Sequence, residues 1–231
     1  MSSFKETNTI FATAKELLPE KATLVNYVNG WKGFAGSTFG RFFANSAIIS
    51  VLSTVGAVAS SAIVGYGFAR CRFKGKKLLF TCMMVSMMLP FQVMMIPQFI
   101  WFKKLGWVGT YLPLIAPYFF GQGFFIIFNT MCINSLTKRM LTSKLQSADY
   151  FQKCFFIFLI MQFIEGIPRE LDEAAKIDGC SYYGVFRQII LPLIIPALIT
   201  SGIFSFIWRW DDFMSPLLYI NKTTMYPISY A

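Results

Sequence analysis

Four stretches of the chain, residues 42–69, 78–102, 105–137 and 188–208, contain no charged side chain. Each is at least as long as the roughly 20 residues a helix needs to cross the hydrocarbon of a bilayer. A soluble core absorbs one such run, not four. The sequence predicts an all-α, polytopic transmembrane helical bundle in a cell membrane. Charged residues make up only 14% of the 231, against the quarter usual for soluble domains.

The formal charge of +10 does not point to nucleic acid, because the basic residues gather between apolar runs instead of lining one face. Arg70, Arg72, Lys74, Lys76 and Lys77 stand together in "RCRFKGKK" without an acid. The positive-inside bias places that loop in the cytoplasm, and the next connection, with Lys103 and Lys104, outside. The chain has no histidine. That removes Ser/His/Asp and Cys/His catalysis and the zinc-protease helix. The five cysteines are scattered, with no paired spacing for zinc or a disulfide framework. No GxxxxGK[ST] loop is present, so no ATP site, and no metal or other cofactor is expected on this chain.

Residues 1–41 read as a polar, extracytoplasmic lead-in, and "MSSFKETNTIFATAKELLPEK" lacks the pattern of a signal peptide. The first span is rich in small residues. Ser53, Gly56, Ala59 and Ser60 are assigned to close helix packing. The second, about 78–98, is Met-rich and expected to kink at Pro90 and Pro97. Asn45, Ser46, Gln92 and Gln122 are read as hydrogen-bonding between helices, although they could also line a pathway.

The third apolar run is interrupted. "KRMLTSKLQSADYFQK" follows it, and the next apolar piece, 154–164, is too short to span. "FFI" occurs at 124–126 and again at 155–157. Removing residues 127–157 leaves one continuous span. These residues are therefore expected to be an insertion, with a re-entrant loop as the other reading.

Residues 165–190 hold a charged loop between apolar runs. Pro168 suits a helix start and Gly179 a helix end, with "RELDEAAKID" between them. Leu171, Ala174, Ala175 and Asp178 share one face of that helix. Ser181 is placed to cap a second helix over 182–190 that leads into the span with Pro192 and Pro196. Glu170, Asp172, Glu173 and Asp178 admit three readings: solvated carboxylates, a carboxylate-pair enzyme, or a docking helix.

Glu173-Ala174-Ala175, three residues, Gly179, nine residues, Ile189, one residue, Leu191-Pro192 resembles the EAA signature of ABC importer permeases. "NYVNGW", Asn45-Ser46, "GYGFARCRFKG", "MMLP", "IPQF", "LGWVGT" and "FIWRWDDFMSPLLYI" are similar to the carbohydrate-importer branch, the maltose-type second permease subunit. The similarity covers nearly the whole chain outside 127–157. It implies the type I importer bundle, working with a second permease subunit, two cytoplasmic ATP-binding subunits and an extracytoplasmic sugar-binding protein. By motif position, Glu173 would contact the ATPase, Ala174 and Ala175 would give a close-packed face, and Gly179 the turn. Leu191-Pro192 would be the rigid link to the next span, with Asp178 and Ile189 completing the coupling loop. Against the family pattern the first and last helices are missing, so an incomplete bundle is expected, from a truncated or insertion-disrupted copy. A membrane-embedded enzyme and an ATP-independent channel are the alternatives in function.

Overall fold

The computed structural model describes residues 23–32, 36–87, 91–119 and 149–230. Its elements run α1 (Val25–Lys32), α2 (Phe39–Arg70), α3 (Lys76–Met87), α4 (Phe91–Lys104), α5 (Leu112–Phe119) and α6 (Asp149–Glu165). They continue with α7 (Glu170–Ile177) and α8 (Tyr182–Val185), the latter passing through a π-helical stretch, Phe186–Ile190, into α9 (Leu191–Leu193). Then come α10 (Ile195–Trp210), α11 (Met214–Tyr219) and a single 3-10 turn, Thr223–Met225.

The long helix α2 is the axis, and α5, α6 and α10 pack on it. It starts three residues earlier than the charge-free run and ends at Cys71, whose extended backbone stops the helix. Its inward face carries Asn45, Ser46, Ser50, Ser53, Gly56, Ala57 and Ser60, and its outward face Ile48, Val51, Leu52, Val55 and Ile63. The helix α10 repeats the arrangement, with Ala197, Ser201, Ser205 and Arg209 buried and Ile199, Ile203, Phe204 and Ile207 exposed. A soluble helix does the reverse. Small and polar residues inside, large apolar ones outside, is what lipid selects.

Small residues bring the helices together at named points. A Cβ on Gly65 would sit 3.2 Å from Ile160 Cγ2 and 3.4 Å from the α6 backbone at Ile157 and Met161. Gly56 meets the ring of Phe119. The Ser53 hydroxyl donates to the Leu114 carbonyl at 2.8 Å and the Ser60 hydroxyl to that of Tyr118 at 2.9 Å. The Tyr118 carbonyl lies in the last turn of α5, where a helix runs out of internal donors, whereas Leu114 lies in the first. Packing thus accounts for Ser53, Gly56 and Ser60 as expected, but Ala59 is exposed and Ala57 takes its place inside. Asn45 donates to the carbonyls of Thr224 and Tyr226, and the Ser46 hydroxyl accepts from the Ile228 amide. These two polar residues therefore serve packing. Gln92 and Gln122 have no side chain among the described ones.

Two apolar cores result. One, at the basic end of α2, gathers Tyr66, Ala69, Met83, Cys154, Ile157, Ile160, Ile164, Ala175, Val185 and Ile194. The other, at the opposite end, is built on Ile49, Phe102, Leu114, Tyr219 and Ile220.

The four expected spans differ in their outcome. α2 is one helix long and apolar enough to cross a membrane, and it is unbroken. The second run divides into α3 and α4, with Pro97 inside α4 and Pro90 outside the described residues. Of the third run, only residues 105–119 are described. The fourth does not begin at 188: α9 and α10 meet at Ile194 with a 73° bend, so its first residues belong to the preceding loop. Pro192 and Pro196 explain the bend, because Pro196 has no N–H for the carbonyl four residues back. Of the expected insertion, residues 127–148 lie outside the described residues. The remainder is helical, and Cys154 and Ile157 are fully buried in the core at the basic end.

Candidate functional site: the charged loop at the basic end

The helix α7 begins at Glu170, two residues beyond Pro168, and the Asp172 and Glu173 amides donate to the Arg169 carbonyl. Glu170, Asp172 and Glu173 occupy its first turn, where negative charge opposes the helix dipole favourably. Its end is a Schellman motif. Gly179 has φ +85°, the Gly179 amide donates to the Lys176 carbonyl at 3.1 Å, and the Cys180 amide donates to that of Ala175 at 2.9 Å. The signature glycine is thus the residue that lets the chain reverse, since a Cβ is disfavoured at this φ. Ser181 then caps α8: its hydroxyl accepts from the Gly184 amide at 3.2 Å. Helix, glycine turn, capped helix is the arrangement the sequence predicts.

Burial divides the expected docking face. Ala175 is buried against Val185, Ile164 and the rest of its own core. Leu171, Ala174, Glu173 and Asp178 are exposed, and so is Ile177, at 86%. The face open to a partner is therefore Leu171, Ala174 and Ile177 with Glu173 beside it. Ala175 has a different task, letting α7 lie close on the core. Ile189 and Leu191 are half-buried, and Pro192 is exposed just before the bend.

Asp172 departs most from expectation. It is not a solvated carboxylate but lies 3.0 Å from the Nε of Arg70. The two side chains are only 9% and 5% exposed. The Nη2 of Arg70 also donates to the carbonyls of Ile164, at 3.1 Å, and Ile167, at 2.6 Å. Ile164 is in the last turn of α6, where its carbonyl also accepts from the Ile167 amide, and Ile167 lies in the turn just after the helix. One turn earlier on α2, the Tyr66 hydroxyl donates to the Tyr182 carbonyl at 3.0 Å. A cleft of about 440 Å³ opens beside the pair, lined by Arg72, Arg169, Glu173, Lys176 and Tyr182. Lys176 lies over the Tyr182 ring, 4.8 Å from its centre. The basic cluster "RCRFKGKK" gave a reason for orientation only; nothing in it marks Arg70 as the partner of a residue far along the chain. Among the described residues no group of three His, Cys, Asp or Glu is placed to hold a metal ion. The arrangement is a surface hairpin that exposes Leu171, Ala174 and Ile177 among charged residues and is fastened to the central helix.

Comparison with known proteins gives the family. Residues 150–230 match the family described as "Binding-protein-dependent transport system inner membrane component". The probable ABC transporter permease protein YurM of Bacillus subtilis (strain 168) is 32% identical over 97% of this chain and 63% of its own length. The probable starch degradation products transport system permease protein AmyC of Thermoanaerobacterium thermosulfurigenes is 30% identical over 96% of this chain and 68% of its own. The chain thus spans roughly two thirds of these curated relatives. A solved structure, a bacterial ABC transporter involved in the import of the acidic polysaccharide alginate, shares the fold. Its TM-score is 0.67 at 20% identity, over 99% of this chain and 69% of that one. The relatives are permeases, transport subunits and not enzymes. By relatives, motif and fold together, this chain belongs to the binding-protein-dependent transport system inner membrane components, the multi-pass permeases of ABC transporters.

Proposed function

We propose that the chain is a permease subunit of an ATP-driven, binding-protein-dependent sugar importer, and that α7 and α8 form its ATPase-coupling loop. The observation that supports this best is the hairpin itself. A partner pushing on the outer face of α7 meets Leu171, Ala174 and Ile177, with Glu173 available for a polar contact. The inner face, Asp172 and Ala175, is joined to the bundle. The two faces of one short helix thus connect a soluble partner to the membrane helices.

In this reading two cytoplasmic ATP-binding subunits grip this loop and its counterpart on a second permease subunit. Their closure moves the loops, the bundle exchanges inward- for outward-facing access, and an extracytoplasmic binding protein delivers the solute. Sugar as the cargo class is supported by relatives named for arabinooligosaccharides and for starch degradation products. An ATP-independent channel has no use for a gripped loop.

The test is ATP hydrolysed per solute imported in membranes holding all partner subunits. Glu173→Lys reverses the charge offered to the ATPase, and Gly179→Leu forces a side chain onto a left-handed φ. Each is expected to cut import far more than hydrolysis while leaving the amount of permease in the membrane unchanged. Normal coupled import in either variant would sink the assignment.

A further inference from the structure

A push on α7 has two routes into the bundle. The covalent route runs through α8, the π-helical stretch and Leu191-Pro192, then across the 73° bend at Ile194 into α10. The second route is non-covalent and shorter. The guanidinium of Arg70, the last residue of α2, joins three elements: α2 itself, the end of α6 and the turn after it through the Ile164 and Ile167 carbonyls, and Asp172 in the first turn of α7. Tyr66, one turn back on the same helix, holds the start of α8 through the Tyr182 carbonyl.

We propose that Arg70 is a positioning residue that clamps the coupling loop to the end of α2 through Asp172, so that movement of α7 is delivered directly to that central helix. This rests on the coupling role proposed above and adds the residues that transmit the movement. Arginine is required for its geometry as well as its charge. Its planar fork is broad enough that Nε lies 3.0 Å from the carboxylate, as an ion contact and not a hydrogen bond, while Nη2 donates to two carbonyls. A lysine ammonium keeps the charge but cannot span the three acceptors. Burial of both partners keeps the contact from being screened by salt, unlike a surface pair.

Two free cysteines beside the clamp make it measurable. Cys71 follows Arg70, and Cys180 follows the glycine turn; both are half-buried, whereas Cys154 in α6 is buried. The experiment labels the full chain in membranes with N-ethylmaleimide and reads each cysteine by peptide mass spectrometry. Asp172→Asn, nearly isosteric, and Arg70→Lys are each expected to raise the rate at Cys180 several-fold while Cys154 stays protected. Adding Asp172→Asn to Arg70→Lys raises the rate little further, because the Asp172 contact is already lost in Arg70→Lys. Glu173→Lys, on the outer face, is expected to leave Cys180 as it was. In the assembled transporter, Asp172→Asn should raise the ATP hydrolysed per solute imported, as Glu173→Lys does. A merely structural loss, which would expose Cys154 and lower the amount of protein, does not produce that combination.

Unchanged Cys180 labelling in Asp172→Asn overturns the clamp whatever Glu173→Lys does. Raised labelling with normal coupling in Asp172→Asn overturns its role in transmission. Normal coupling in Glu173→Lys, with Cys180 still exposed by Asp172→Asn, overturns the coupling reading and leaves the clamp standing. If Arg70→Lys fails to accumulate, Asp172→Asn alone decides.

Discussion

Asp172 and Arg70 show how a charged pair is judged in a setting like this one. Both are buried, and neither the Arg70 Nε nor the Asp172 Oδ1 has a hydrogen-bond partner, so the pair need not add stability over an apolar pair. Removing one partner is another matter. Asp172→Ala leaves the Arg70 charge buried and is expected to cost about 3–5 kcal/mol, the range for broken buried pairs. Thermal unfolding in detergent would show it as a lowered midpoint. The double exchange Arg70→Met with Asp172→Leu should recover most of that stability and none of the coupling. Recovery of both would mean that the pair serves stability only. The sequence does show the carboxylate in the first turn of a helix, where it belongs on dipole grounds. It does not show which face of that short helix meets the bundle, since Leu171, Ala174 and Ala175 fit an apolar face as well as Asp172 and Ala175 fit a buried one. The partner settles the choice, and the partner sits at the end of another helix.

At the scale of elements, what is written locally is readable locally. Gly179, Ser181 and the helices on either side follow from φ preferences and capping, which act within a few residues. Close approaches between helices are less legible, because every small residue on α2 is a candidate and only packing selects among them. Gly65 and Gly56 are predicted to differ for that reason. At Gly65 the obstacle includes the α6 backbone, whereas at Gly56 it is the half-exposed ring of Phe119, which can swing aside. Gly65→Val is expected to destabilise by about 1–3 kcal/mol, as overpacking does, and Gly56→Ala by less. The order of their unfolding midpoints checks this, and a reversed order contradicts the packing described. The same scale bears on the repeated "FFI". Ile157, in the second copy, is fully buried within α6, and Ile126, in the first copy, would stand in its place if residues 127–157 were absent. A variant lacking 127–157 is therefore expected to insert into membranes better than the parent; equal insertion would argue against an interrupted helix.

Over the whole molecule, the four charge-free runs foretell a membrane protein, and the inside-out distribution on α2 and α10 is its three-dimensional counterpart. What the runs do not foretell is where helices stop. Absence of charge is continuous across 188–208, yet the chain turns by 73° within it, because hydropathy carries no information about backbone hydrogen bonds and proline does. The EAA-like spacing ends at Leu191-Pro192, just before the bend at Ile194. In the proposed coupling, the outer face of α7 meets a cytoplasmic ATP-binding subunit while its inner face belongs to the bundle. Single cysteines placed along α7, in a chain whose own cysteines are replaced by serine, test it by crosslinking to that subunit in native membranes. Ala174→Cys and Ile177→Cys are predicted to crosslink and Ala175→Cys is not. Equal crosslinking from Ala175→Cys, or none from any of the three, would contradict the account.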